Sequence, residues 1–393
     1  IGGPLSVSDT RVKLDLLEKF MDASEEKGIP RVKDFNMGNN FGCGYFQVTE
    51  KNGLRCSAAV GYLNPIKKRG NLKVETNCHV KKINFDGTKA VSVSFWKDDN
   101  LIEVKANKEI LLSAGSIGST QILQTSGIGN GNKLSNLGIK LIKELKGVGQ
   151  NLQDHYVSRI SHRVKNTVSI NQLSRGIRLL REIGSWAFQG KGALTFGITS
   201  AMVFSRSREG LSSPDIQLLF TPASYSQKTH GELEKEGGMT VVVCPVRPSS
   251  RGTIMAESSD ALVRPLIRPN YLSDPDDIRV MIAGLRQARE ILAQPAFKSF
   301  SVEETVPGQM LQSDDELEKF ARDNGSIIYH PVSTCKMGED PMAVVDSRLK
   351  VHGIEGLRVV DASIMPTVTT GNTNAPTIMI AEKASDMILE DAK

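Results

Sequence analysis

The tail of this chain, residues 329–393, limits its fold more than any other stretch. It begins YHPVSTCKMG and later runs GLRVVDASIMPTVTTGNTNAPTIMIAEKASDMI. His330 precedes Pro331, which biases it towards extended backbone. Leu357, Val359 and Val360 form a short apolar strand ending at Asp361, and an acid at the end of a buried strand commonly meets a ligand. GNTNAPT is rich in loop formers and carboxamides. Pro376 then falls in the first turn of a helix, where its missing N–H costs least. Ile378, Ile380, Ala381, Ala384, Met387 and Ile388 give that helix a broad apolar face. A His and an Asn therefore come near a helix N-terminus able to hold an anionic ring or an oxyanion.

Other segments read as ordinary globular structure. Residues 12–28 have helical spacing at Leu14, Leu17, Phe20 and Met21, with Gly28 as a stop. From 71 to 115 the pattern is that of strands, with Asp86-Gly87 as a turn, leading into ILLSA and a helix at about 117–126. DIQLLF (215–220) and MTVVVCPV (239–246) read as strands, and 276–294 and 314–324 as amphipathic helices. Residues 173–188 are apolar on one face and basic on the other. This fits a helix covering a sheet, or one meeting a membrane surface or a partner.

Residues 113–129, SAGSIGSTQILQTSGIG, add a second long motif, followed by GVGQNLQDH (147–155), SRGTI (250–254) and PNYLSDPDD (269–277). Together with the tail, and in the same order, these phrases resemble the glucose-methanol-choline (GMC) flavoprotein oxidoreductases, in particular bacterial alcohol and choline dehydrogenases. The resemblance implies a mixed α/β (α+β) fold with a Rossmann-like FAD-binding domain and a substrate-binding domain whose antiparallel sheet is covered by helices. The expected division is active-site-flanking loops and helices at 1–70, FAD-binding parts at 71–151 and 345–393, and a substrate-binding part with the catalytic His at 152–344. It further implies FAD as cofactor, oxidation of a primary alcohol to an aldehyde, and hydride transfer to flavin N5. His330 matches the family's catalytic His and Asn372 its second catalytic position. Val80, Ala114, Asp361, Ala362, Asn374, Pro376 and Thr377 match cofactor contacts. No GxGxxG turn stands between a strand and a helix, so the chain is expected to lack the N-terminal dinucleotide-binding segment and to bind FAD poorly by itself.

The chemistry of these residue types agrees. Alcohol oxidation needs a base for the hydroxyl proton and a donor for the developing alkoxide. Imidazole can take a proton at neutral pH; a carboxamide can donate but cannot act as a base. On the residues alone, His330 and Asn372 could equally be loop residues satisfying backbone groups, Asp361 a turn cap, and Asn374 a helix cap. His155 reads as a structural residue of the loop after LQDH. His79, His162, His230 and His352 carry no supporting pattern. A hydroxynitrile-lyase-like flavoprotein and a truncated non-catalytic member remain alternatives.

The net charge of +5 comes from mixed, dispersed charges, and only 5% of residues are aromatic, which argues against nucleic acid as a partner. The five cysteines are scattered, without a CxxC, so a metal site or a disulfide framework is not expected. No apolar run approaches the roughly 20 residues that span a bilayer. The expected partner is a small alcohol, with oxygen or a quinone as electron acceptor. A peripheral membrane contact and a homo-oligomer stay open. The expected location is cytoplasmic or the inner face of the cell membrane. For a choline-type cation cage, DIQLLFTPASYS offers Phe220, Tyr225 and only Asp215 as an acid.

Overall fold

A computed structural model describes residues 2–197, 199–226, 229 and 231–393; His230 lies outside the described residues. The chain divides into two compact units, one of residues 1–73, 156–246 and 275–326, the other of 74–155, 247–274 and 327–393.

The first unit is built on an antiparallel sheet. Its strands run in the order Ser301–Val306, Tyr156–Val164, Gly238–Pro245, Ile216–Thr221, Ala201–Ser205 and Gly42–Tyr45. Every residue of Ile216–Thr221 and Ala201–Ser205 is buried, which accounts for their continuous rather than alternating apolar pattern. The helices Asp15–Glu26 and Pro275–Leu292 pack on this sheet. Leu16, Leu17, Phe20 and Met21 form the buried face of the first, and Phe20 stacks on Phe220 with ring centroids 4.4 Å apart. Gly284 lets the second approach closely: a Cβ there would lie 2.4 Å from Val243 Cγ1. Gly28, at φ +88°, follows the first helix as the sequence pattern predicts.

The Gly42–Tyr45 edge strand lies in a region the sequence reading assigns to loops and short helices. Its glycines have poor strand propensity. They stand there because a Cβ on Gly44 would come 2.5 Å from the Val32 carbonyl oxygen.

The second unit holds a three-stranded meander, Cys78–Asp86, Lys89–Lys97 and Asn100–Lys105. Beside it a parallel pair joins Ile110–Leu112 to Leu357–Val359, although about 250 residues separate them in sequence. Both strands lead into the functional loops: the first into the Gly115–Thr125 helix, the second into Asp361. Leu112, Leu123, Val345, Val359, Ile380 and Ala384 belong to one buried cluster, so the last helix packs on this unit. Its buried stripe is narrower than expected: Ile380 and Ala384 are buried, Ile378, Met387 and Ile388 half-buried, and Ala381 exposed.

Arg358 ties that helix down. Its side chain is almost fully buried, with Nε donating to Glu109 (2.7 Å), Nη1 to the Arg348 carbonyl (2.8 Å) and Nη2 to Asp391 (2.5 Å). The three ion pairs Asp391 makes with Lys350, Arg358 and Arg348 hold its carboxyl far below the usual carboxylate range.

The compact units divide the chain at other places than the expected domains. Residues 247–274 and 327–344 fall in the unit that carries the parallel pair, not in the unit of the antiparallel sheet. Hydrogen bonding explains this: Ile254 N bonds to Gly149 O, and Gln153 and Val332 bond each other's backbone in both directions. These contacts join sequence-distant segments and leave no local signal.

Candidate active site

Four motif segments of the second unit converge. In the first turn of the Gly115–Thr125 helix, Ser116 Oγ donates to the Pro331 carbonyl at 2.6 Å, and Thr334 Oγ1 donates to the Ser116 carbonyl at 2.7 Å. Gln153, in LQDH, uses its side chain on the tail loop, donating to the Pro366 carbonyl at 3.3 Å and accepting from Val368 N at 3.2 Å. His330 is thus held from both sides. Tyr329 (φ +60°) and Ser333 (φ +74°) flank it in left-handed backbone. That conformation is costly for an aromatic residue and persists only where the surroundings dictate it.

The His330 side chain is buried and bonded at both ring nitrogens. Its Nδ1 lies 2.9 Å from Nδ1 of His155, and its Nε2 lies 3.3 Å from Nδ2 of Asn372. With the Asn372 amide donating to Nε2, that nitrogen carries the free lone pair. The His330 proton then sits on Nδ1 and is donated to His155. Burial pushes the His330 imidazole down to about 4, so it is neutral at pH 7.

Asp154 supports both histidines. Its Oδ1 accepts from the backbone N–H groups of His330 and His155, each at 2.8 Å, and its Oδ2 accepts from the Tyr271 hydroxyl at 2.7 Å. Burial raises the Asp154 carboxyl, opposed by the Tyr271 hydrogen bond and then by those backbone donors. His155 is fully buried and in direct contact with His330. Asp154 and Tyr271 were not singled out by sequence. Both lie in motif phrases, LQDH and PNYLS, but nothing local tells that a hydroxyl 117 residues away completes the carboxylate.

Asp361 is buried, and its carboxylate is occupied within the protein. Oδ2 accepts from Gly115 N (3.0 Å) and from Ser119 Oγ, and Oδ1 accepts from Ser363 N (2.8 Å). It joins the C-terminal ends of the two parallel strands. Ala114 is exposed beside it, its N–H donating to Ser119 Oγ. Ala362 opens the short 3₁₀ turn that follows. Asn374, Pro376 and Thr377 occupy the first turn of the last helix. Asn374 is a helical residue and not the cap; the cap is Thr373, which makes no side-chain capping bond. Thr377 Oγ1 bonds to the Thr373 carbonyl at 2.7 Å. Val80 stands opposite Phe95 in the meander, which is tied to the Gly115–Thr125 helix end by Ile83 N donating to Ser126 Oγ at 2.8 Å.

The other described histidines have separate bonds: His79 Nε2 to the Ala261 carbonyl, His162 Nδ1 to Ser301 Oγ and His352 Nε2 to the Gly338 carbonyl. Among the described residues no group of His, Cys, Asp or Glu could hold a metal ion. None of the five cysteines is joined in a disulfide.

Comparison with known proteins places this geometry. The descriptions of the GMC oxidoreductase N- and C-terminal parts match residues 1–157 and 248–381. The alcohol dehydrogenase [acceptor] of Pseudomonas putida is 40% identical over 394 residues, covering 98% of this chain and 70% of that protein. The chain belongs to the GMC oxidoreductase family. The mitochondrial choline dehydrogenase of Homo sapiens is 41% identical over 392 residues; the chain spans 65% of its length. An FAD-dependent oxidoreductase from Chaetomium thermophilum matches in structure with a TM-score of 0.91 at 25% identity, covering 100% of this chain and 74% of that one.

The site suits the GMC cofactor. The C-terminal ends of a parallel strand pair are where α/β proteins hold ligands. The 18-residue last helix presents the N–H groups of Asn374 and Ala375 without a side-chain cap, a donor set for partial negative charge. Thr369 Oγ1, in the adjoining loop, is buried and has no hydrogen-bond partner among the described residues.

Proposed function

We propose that this GMC oxidoreductase oxidises a primary alcohol to an aldehyde, with His330 as the base and Asn372 as the orienting donor. FAD is the cofactor, and when bound it supplies the hydride acceptor. The reading rests on one observation: a neutral, buried imidazole whose Nε2 faces a carboxamide Nδ2 at 3.3 Å. Both atoms can converge on one substrate oxygen. Nε2 accepts the hydroxyl proton while Asn372 donates to the oxygen as it gains charge. The proton moves from oxygen to Nε2 and the hydride leaves the carbinol carbon, so the alcohol loses two electrons and becomes the carbonyl.

An imidazole pushed to about 4 holds a proton poorly in the resting site. Two features favour the charged form during reaction. The developing alkoxide lies beside it, and His155 Nδ1 accepts from the opposite edge of the ring.

The names of the human and Pseudomonas relatives support an alcohol as substrate. Of the residues considered for a quaternary-ammonium cage, Phe220 is fully buried in its stack on Phe20. Asp215 spends its carboxylate on Ser207, accepting from N at 2.7 Å and from Oγ at 2.6 Å. Tyr225 is left alone of the three, without an acid beside it from this set, so our reading is an uncharged alcohol rather than a quaternary-ammonium one. The test is anaerobic mixing of the FAD-loaded enzyme with a series of primary alcohols and with choline. Flavin bleaching by the uncharged alcohols supports the reading; bleaching by choline alone contradicts it. Oxygen and a quinone analogue, added to the reduced enzyme, then identify the electron acceptor.

A further inference from the structure

The helix Gly176–Gln189 has 14 residues, none of them buried. Ile177 is 65% exposed, Leu180 63% and Phe188 90%. An amphipathic helix ordinarily turns its apolar face to the core, and this one does the reverse. At about 100° per residue, Ile183, Ala187, Leu180, Gly184, Ile177 and Phe188 fall within one arc of about 140°. The helix is fixed from its other side. Trp186 Nε1 donates to the Gly53 carbonyl at 3.3 Å, and Glu182 accepts from Ala193 N at 2.6 Å. The outward apolar face is therefore set by the fold. Leu54, next to that Gly53 contact, adds a further apolar side chain, 59% exposed.

Arg178 and Arg181 border the arc on one side. They line a groove in the same unit together with Arg11, Lys13 and Lys191, against Asp9 and Glu182 as its acids. An exposed apolar stripe flanked by a cationic groove matches the interface of an anionic phospholipid bilayer, with acyl chains meeting the stripe and phosphates meeting the groove. A second copy of the chain fits less well, because a two-fold contact across this helix would bring Arg178 and Arg181 of both copies together. We propose that the Gly176–Gln189 helix docks this protein on anionic lipid surfaces. It lies flat at the headgroup level: among the described residues no helix is long and apolar enough to cross a membrane. This inference is independent of the alcohol chemistry.

The test is co-sedimentation of the FAD-loaded protein with phosphatidylcholine vesicles, with and without about 30% phosphatidylglycerol. Binding is expected only to the anionic vesicles and is lost at high salt. Leu180→Ser combined with Phe188→Ser should lower partitioning more than about tenfold. Arg178→Glu combined with Arg181→Glu should lower it more than about twentyfold, since each basic side chain near such a surface contributes about fivefold. Flavin content and thermal midpoint should not change. The proposal is overturned if the parent ignores anionic vesicles or if both double variants bind as it does. A concentration-dependent dimer that Phe188→Ser dissociates would also overturn it.

Discussion

Nδ1 of His155 lies 2.9 Å from Nδ1 of His330, so a single proton is shared between the inner edges of two buried imidazoles. This contact decides which nitrogen of His330 faces Asn372 unprotonated. It makes His155 a positioning residue.

Replacing His155 with Ala should therefore slow flavin reduction by about 10–100-fold with FAD retained, because the imidazolium at His330 loses its acceptor. The pH profile separates this from general damage. A change in the apparent pKa of the reductive step is expected, and a uniform loss at all pH values would count against the positioning role.

Tyr271→Phe removes one donor from a buried carboxylate. Leaving such a group short of a partner costs about 1–3 kcal/mol. Urea unfolding should show a loss in that range, and the raised Asp154 carboxyl should rise further. Unchanged stability would mean that solvent replaces the Tyr271 hydroxyl.

Arg358→Ala should also destabilise, by about 1–3 kcal/mol, since it removes the cation that Glu109 and Asp391 share, while Asp391 keeps its pairs with Lys350 and Arg348. Arg358→Met should cost less than Arg358→Ala, because the aliphatic stem keeps its packing. Thermal unfolding of both variants measures the difference; equal loss would assign the cost to charge alone.

The fold and the site were legible to different degrees. The helices Asp15–Glu26 and Asp314–Asn324 followed from apolar spacing and end signals that act over a few residues. His330 and Asn372 stood in distinctive phrases, and the structure brings their side chains together. What stayed hidden depends on distant contacts. The Gly42–Tyr45 strand is shaped by Val32, and the Asp154 carboxylate is completed by Tyr271. Asp361 could be read as a ligand contact because its strand ends there. Only the structure shows its oxygens occupied by Gly115, Ser119 and Ser363.

Burial of His330 has a consequence for stability against pH. Its folded value is about 4, below the ordinary unfolded value near 6.5. Above that unfolded value both states are neutral and His330 imposes no penalty. As pH falls from about 6.5 to about 4, the unfolded chain takes up a proton that the folded one resists, so stability is lost across this window. The loss is about 1.4 kcal/mol per pH unit at most. Denaturation at pH 7.5 and pH 5 should show a smaller drop for His330→Gln than for the parent. Equal drops would place the acid sensitivity elsewhere.

The central claim is that His330 takes the substrate proton while Asn372 only orients the oxygen. Loss of a positioned base typically costs about 10²–10⁴-fold in rate, and loss of one neutral donor less, here about 10–10³-fold. The direct measurement is rapid anaerobic mixing of FAD-loaded His330→Ala, Asn372→Ala and parent enzyme with a primary alcohol, following loss of flavin absorbance across neutral pH. The account predicts the same flavin content in all three, the larger loss for His330→Ala, and a primary isotope effect with the α-deuterated alcohol. Flavin reduction in His330→Ala as fast as in the parent would contradict it.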